Sequence, residues 1–190
     1  SWEWICNHGR NWHGQRFDAD HMPWGRGVCQ AWDDPRVREI VLQWSARLGK
    51  TILSHNLLCY AMAKRPANIL EAGPTEKIAL RWTDQKLYPM LDAMIAGGVP
   101  ITLPAHNRRS TREIDFGAGT LKAAWAGSDT ALADFDATYA HLGELAKWPQ
   151  EASSESDTVA QAEKRTHAHA DRKVIKEGTP TYRGRCRIEK

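Results

Sequence analysis

Residues 43–51 read QWSARLGKT, and their reading decides what kind of chain this is. The segment ends as a phosphate-binding loop ends, in Gly49, Lys50 and Thr51, but Trp44 stands where G-x-x-x-x-G-K-[ST] has its first glycine. Such a loop needs a buried strand before it and a helix start after it, because its anion-binding N–H groups come from the turn and the first helical residues. Both flanks are legible. EIVLQW (39–44) is a short apolar run fit for a buried strand, and GKTILSHNLLCYAMAKR (49–65) carries Ile52, Leu53, Leu57, Leu58, Tyr60, Ala61 and Met62 on a mostly buried helix. In that setting Gly49 lets the loop close, Lys50 pairs with the β- and γ-phosphates, and Thr51 offers a hydroxyl to Mg²⁺. Arg47, inside the loop, is placed to meet transferring phosphoryl oxygens. The plainer alternative is a Gly-Lys-Thr helix start with a surface lysine, and the strand-helix context weighs against it.

Outward from the loop the pattern repeats. NILEAG (68–73) reads as a second strand and 74–98 as a second helix with Pro74 near its start, so the order is strand, helix, strand, helix. That alternation marks a parallel α/β sheet. TREIDF (111–116), the turn GAG and TLKAAWAG (120–127) read as a hairpin. Residues 137–142 and 172–178 are further strand candidates, with a helix over roughly 156–169 between them. Upstream, DDPRVR (33–38) resembles a turn with a helix N-cap and Pro35 at the first helical position, 22–32 a short helix, and 1–35 a lead-in rather than a separate domain.

Composition narrows the class. The 190 residues suffice for one domain with a proper core, and 42% hydrophobic with 26% charged residues describes an ordinary globular chain. No apolar run approaches the roughly 18 residues that span a bilayer, which implies no membrane partner. No basic stretch followed by an apolar core opens the chain, so an intracellular, reducing compartment is expected. Cys6, Cys29, Cys59 and Cys186 are scattered without a C-x-x-C pair, and disulfides are not expected there. Cys6 with His8 and His13, and His167 with His169, lack four ligands at zinc spacing, so no metal-ligand cluster is assigned. A net charge of +3 is too small to demonstrate a nucleic-acid partner, although 105–112 and 182–190 are locally basic. Nine tryptophans are read mainly as packing residues.

Four stretches then carry a resemblance: 33–51, AGPTEKIALRWTDQKLYPML (72–91), AWAGSDTALADFDATYAHLGELAKWP (124–149) and AEKRTHAHADRKVIKEGTPTYRGRCRIE (162–189). In this order they resemble the ATPase region of the large terminase subunit, more narrowly the lambda-like branch of tailed-phage packaging enzymes, from about residue 20 to the C-terminus. The resemblance implies an ASCE-type P-loop NTPase fold, a mostly parallel sheet flanked by helices over 36–190, incomplete here. It implies an ATP- and Mg²⁺-dependent motor that drives double-stranded DNA into a procapsid in the host cytoplasm, alongside a small terminase subunit and a portal. In that family the loop often lacks the first glycine and often carries a central arginine, so Trp44, Ser45, Ala46, Arg47, Leu48, Gly49, Lys50 and Thr51 form the nucleotide cradle.

The resemblance also implies the remaining roles. The family's Asp-Glu pair at a strand end falls on Gly143 and Glu144, so Glu144 orients the attacking water while the aspartate is missing, and Ala146 replaces a further acid. Hydrolysis is accordingly expected to be slow. EGTPTYRG (177–184) matches the coupling motif, with Thr179 as γ-phosphate sensor and Thr181 second. FDADHMPW (17–24) matches the adenine-contacting segment, with Trp24 stacking on the base. Asp134 and Asp136 precede their strand and are read as loop residues. Arg108, Arg109 and Arg112 are candidate DNA contacts. The nuclease domain of a full large subunit is expected to be absent, and with it DNA cutting. Two alternatives are a weakly active or inactive interaction module that binds DNA, portal or small subunit, and a helicase-like translocase suggested by GPTEKIA (73–79).

Overall fold

The computed structural model describes residues 1–103, 109–133, 135–149, 157–181 and 188. Among them six strands form one sheet in the order β1-β6-β5-β2-β4-β3. The strands are β1 (Glu39–Gln43), β2 (Ile69–Gly73), β3 (Glu113–Asp115), β4 (Thr120–Trp125), β5 (Tyr139–Leu142) and β6 (Lys173–Gly178). All neighbours pair in parallel except β3, which closes the far edge antiparallel to β4. The parallel β1, β2, β5 and β6 and the β3–β4 hairpin are the elements expected from the sequence. Strand β1 stops one residue short of Trp44, which begins the loop.

Period-two alternation explains how the sheet sorts its residues. On β2, β5 and β6 the residues Leu70, Ala72, Ala140, Leu142 and Val174 join an apolar cluster on one face. Their alternates Ile69, Tyr139 and Ile175 join the larger core on the other face, beneath helix α3 (Lys50–Lys64). Buried on both sides, β2 and β5 read as continuous apolar runs broken by a single polar residue each, Glu71 and His141.

Helix α3 contributes Leu53, Leu57, Leu58, Ala61 and Met62 to the larger core, all essentially water-free. Each of its larger side chains stabilises by about 1.5–3 kcal/mol relative to exposure. Helices α1 (Trp2–His8) and α2 (Gly25–Asp33) pack Ile5, Val28 and Trp32 into the same core. Helix α1 lacks a periodic pattern, and its sequence gives no cue to it. Pro35 does not start a helix: the Asp34 carboxylate accepts from the Arg36 backbone N–H at 2.9 Å and from its guanidinium, fixing a turn that leads into β1.

The helix expected over 74–98 forms with an altered middle. It runs as α4 (Glu76–Trp82), a π-helical segment Thr83–Leu87 and α5 (Tyr88–Ala96). Pro89 lacks an N–H and its ring crowds the carbonyl one turn back, and the wider π turn just before it absorbs that conflict. Helix α6 (Asp129–Leu132) is a single turn. Helix α7 (Thr158–Lys164), capped by the Asp157 carboxylate on the Val159 N–H at 2.9 Å, ends earlier than expected, and residues 165–168 are turn. Among the described residues no helix is long and apolar enough to cross a membrane.

Candidate functional site

The carboxyl ends of β1, β6, β5 and β2 open onto one edge, where ligands of parallel α/β sheets bind. The loop from Trp44 to Gly49 crosses that edge and delivers the chain into α3. Gly49 is left-handed at φ 78°, a conformation that favours glycine, and a Cβ there would also lie 1.9 Å from the Met22 methyl, the end of a flexible side chain. Arg47 is also left-handed, at φ 65°, a conformation that costs a non-glycine residue about 1 kcal/mol and tends to occur at functional turns. Ser45, Ala46, Arg47 and Leu48 are exposed. No side chain caps the first turn of α3, so its leading N–H groups face the loop.

Lys50 is buried, and its ammonium is held at 3.0 Å from the Trp44 carbonyl, 2.9 Å from the Ser45 carbonyl and 3.1 Å from the Thr179 hydroxyl. Burial pulls its pKa down, opposed by the charges of Glu177 and Glu144. Thr179, just past β6, therefore meets the loop lysine. Thr181 is exposed. Trp24 is 44% exposed and stands edge-on to Trp44, ring centroids 6.5 Å apart, at the mouth of the loop. Glu144 follows β5 on the same edge, at φ 55° and ion-paired to Lys147 at 2.8 Å.

Beneath the loop lies a buried polar cluster that the sequence reading did not assemble. Glu71, His141 and Glu177 project from β2, β5 and β6 toward α3, which supplies Thr51, Ser54 and His55. The Thr51 hydroxyl donates to Glu177 Oε1 at 2.6 Å and the Ser54 hydroxyl to Oε2 at 3.1 Å. His141 lies between the two acids, its Nε2 3.4 Å from Glu177 and its Nδ1 3.4 Å from Glu71, while His55 Nε2 is 2.6 Å from Glu71 Oε1. Burial alone would lower the His141 pKa, but the flanking carboxylates push it up to about 9, so the ring is an imidazolium at neutral pH. Burial alone would raise Glu71 and Glu177. The histidines outweigh it, with a Thr51 hydrogen bond added at Glu177, and hold Glu71 at about 2 and Glu177 below its ordinary range.

His55, Glu71 and His141 bring ligand atoms within 4.8 Å of one another, a spacing a small cation would accept. Zinc spacing along the chain does not reveal this triad, because its members come from three elements. The available signal was one polar residue inside each of two apolar strand runs, Glu71 and His141, and a histidine within the buried helix α3.

Other candidates are placed elsewhere. Arg109 forms a two-pronged ion pair with Asp92 and stacks on Tyr88, and Arg112 pairs with Glu76 and stacks on Trp125. Arg108, Asp134 and Cys186 lie outside the described residues. Asp136 pairs with His169 at 3.1 Å, as a loop carboxylate does. Cys6, Cys29 and Cys59 are free thiols.

A phosphate-type loop after the edge strand β1, with β6 inserted between it and β5, gives the strand order of a P-loop NTPase of the ASCE division. A profile described as phage terminase large subunit gpA, ATPase domain, matches residues 11–190, and the chain belongs to that family. The fold is similar to the HK97 bacteriophage large terminase (TM-score 0.72, 15% identity, 93% of this chain and 36% of that one). It is similar to the large terminase ATPase domain of Thermus phage P74-26 (TM-score 0.63, 14% identity, 91% and 69%). The large terminase of a thermophilic bacteriophage, in complex with ADP, matches at TM-score 0.58 and 21% identity, over 82% and 38%. The chain thus spans under two fifths of the HK97 protein and of that ADP-bound terminase. No curated protein matches the sequence.

Proposed function

We propose that the chain is the ATP-hydrolysing motor domain of a large terminase subunit and powers translocation of double-stranded DNA into a procapsid in the host cytoplasm. The observation that carries this reading is the meeting of Lys50 with Thr179 at the carboxyl edge that also bears Glu144. The family supports a nucleotide as the ligand, as do the ADP and ATP-gamma-S complexes of the thermophilic bacteriophage terminase.

In this reading residues 44–51 wrap the triphosphate through backbone N–H groups, and Lys50 exchanges its two loop carbonyls for phosphate oxygens. Arg47 reaches the outermost phosphoryl group, and Trp24 stacks on the base. Glu144 orients water for in-line attack, and Thr179 carries the change of phosphate state toward DNA. Catalysis is then mostly positioning and electrostatics. The site fits Mg²⁺: Thr51 and Glu177 are hard oxygen groups, and the buried Glu177 shares the His141 charge with Glu71. The ion, when bound, neutralises charge on the β- and γ-phosphate oxygens. Contacts to DNA are expected on its phosphates, independent of sequence and steeply salt-dependent, with small subunit and portal as protein partners.

ATP turnover by the chain and by Lys50→Ala tests the reading. Loss of a measurable rate in the variant supports the motor. Equal background rates favour the alternative, an interaction module that keeps the fold without turning over nucleotide.

A further inference from the structure

We infer that Glu177 is the acid that partners the magnesium-binding hydroxyl of Thr51, supplied from β6 because position 143 at the end of β5 cannot hold one. The inference rests on the nucleotide reading of the loop and assigns a residue to it that the chain's motifs do not.

Two independent observations converge. The first is steric. A Cβ on Gly143 would come within 2.4 Å of Trp82 Cη2, 2.5 Å of Cζ3 and 3.2 Å of His141 Cε1. Real Cβ atoms essentially never come as close as the two Trp82 contacts, so the indole occupies the volume an aspartate side chain would need. Trp82 is 1% exposed and packed among rings, 5.9 Å from His141 and 6.3 Å from His55 by centroid, so it has nowhere to retreat.

The second is register. Leu142 pairs with Lys176 in the parallel β5–β6 ladder, and one step further sets Gly143 level with Glu177. Laterally paired residues of a parallel ladder project to the same face. Glu177 therefore leaves the sheet beside the missing carboxylate, on the side covered by α3, and closer by one strand to β1 and its loop. Its Oε1 reaches the Thr51 hydroxyl at 2.6 Å. That contact takes the hydroxyl proton and leaves the Thr51 oxygen lone pairs free for a cation, with a negative charge directly behind. Ser54 donates to the other oxygen, which His141 faces at 3.4 Å. Gly143 is thus not a bare deletion of the acid: the charge persists, one strand over and one methylene longer.

A purely structural role, pinning α3 to the sheet, would affect nucleotide binding with and without metal alike. The test is therefore the gain in mant-ADP affinity on adding Mg²⁺, measured against EDTA, for the parent chain, Glu177→Gln and Glu177→Asp. Glu177→Gln keeps an oxygen for Thr51 and loses the charge. Its affinity in EDTA should stay within about threefold, while the Mg²⁺-dependent gain shrinks about tenfold or more, the scale of losing an outer partner of a metal ligand. Glu177→Asp keeps the charge that faces His141 and withdraws the carboxylate from Thr51. It should also shrink the gain, and it gives a folded protein to measure if the glutamine variant does not fold. An undiminished gain in the folded variants overturns the inference alone. A parent chain that binds no mant-ADP overturns the nucleotide reading and this inference with it.

Discussion

The Lys50 ammonium and the Thr179 hydroxyl lie 3.1 Å apart, joining the loop after β1 to the segment after β6 across 129 residues of sequence. Lys50 has two further acceptors, the carbonyls of Trp44 and Ser45, so losing Thr179 leaves the lysine positioned but uncouples it from β6. Thr179→Val should therefore keep ADP affinity within about threefold and lower ATP turnover about 10- to 100-fold, the scale of a hydrogen bond to a charged group. Steady-state rates with separate mant-ADP titrations check this. A parallel fall in affinity and turnover would make Thr179 a binding group instead.

Gly49 tests the loop from the side of stability. Its φ of 78° penalises any Cβ by about 1–2 kcal/mol, and the added Cβ also meets the Met22 methyl at 1.9 Å. The methyl is the far end of a flexible side chain and can swing aside, so the backbone term should dominate. Gly49→Ala should lower the melting temperature by about 2–8 °C, and adding Met22→Ala should recover little of it. Full recovery in the double variant would show that the contact, not the backbone, imposes the glycine.

Stability should depend on pH through the buried cluster. His141, pushed up to about 9 from 6.5, contributes stability that is complete below about pH 6.5 and fades as pH rises through 9. Glu71, held at about 2 against 4.5, contributes stability that is complete above about pH 4.5 and fades as pH falls toward 2. The groups facing His141 are Glu71, Glu177, His55 and Trp82. The metal- and nucleotide-free chain should thus melt at progressively lower temperature from pH 7 to 10. His141→Gln, which leaves buried carboxylates without their cation, should cost about 3–5 kcal/mol at pH 6.5 and flatten that alkaline decline. Thermal melts across pH decide it: an alkaline decline as steep in the variant assigns it to other groups.

Much of the sheet was legible because its strands are apolar runs next to a loop whose chemistry needs a strand and a helix in that order. Lys50, Thr179, Trp24 and Glu144 were put forward by motif resemblance; the structure sets Lys50 against Thr179, Trp24 against Trp44, and Glu144 just past β5. Glu177 was not, although EGTPTYRG begins at that very residue. Its partner Thr51 is 126 residues away, and only the β1-β6-β5 order brings them together. His55, Glu71 and His141 escaped for the same reason: each is a polar break in an apolar element, and the cluster exists only once α3 lies over β2, β5 and β6. The π segment before Pro89 was hidden because apolar spacing shifts only slightly across one wide turn.

Gly143 offers a counterintuitive outcome. If the chain simply lacked an aspartate at the end of β5, restoring one should help. Trp82 makes the opposite prediction, since the Cβ alone would lie 2.4 Å from its ring and the ring is wholly enclosed. Gly143→Ala should destabilise by about 1–3 kcal/mol from overpacking. Gly143→Asp should cost more than alanine, because it adds a third carboxylate to a buried site that already holds Glu71 and Glu177 with the His141 imidazolium between them. The difference between the two variants is electrostatic and should narrow as pH falls and the new carboxyl protonates. Trp82→Ala combined with Gly143→Asp should remove the overlap but not the repulsion, so it recovers part of the loss relative to Trp82→Ala alone. Urea denaturation at pH 7 and pH 5 measures each part. A Gly143→Asp chain as stable as the parent would mean that the indole yields and that position 143 is open to an acid after all.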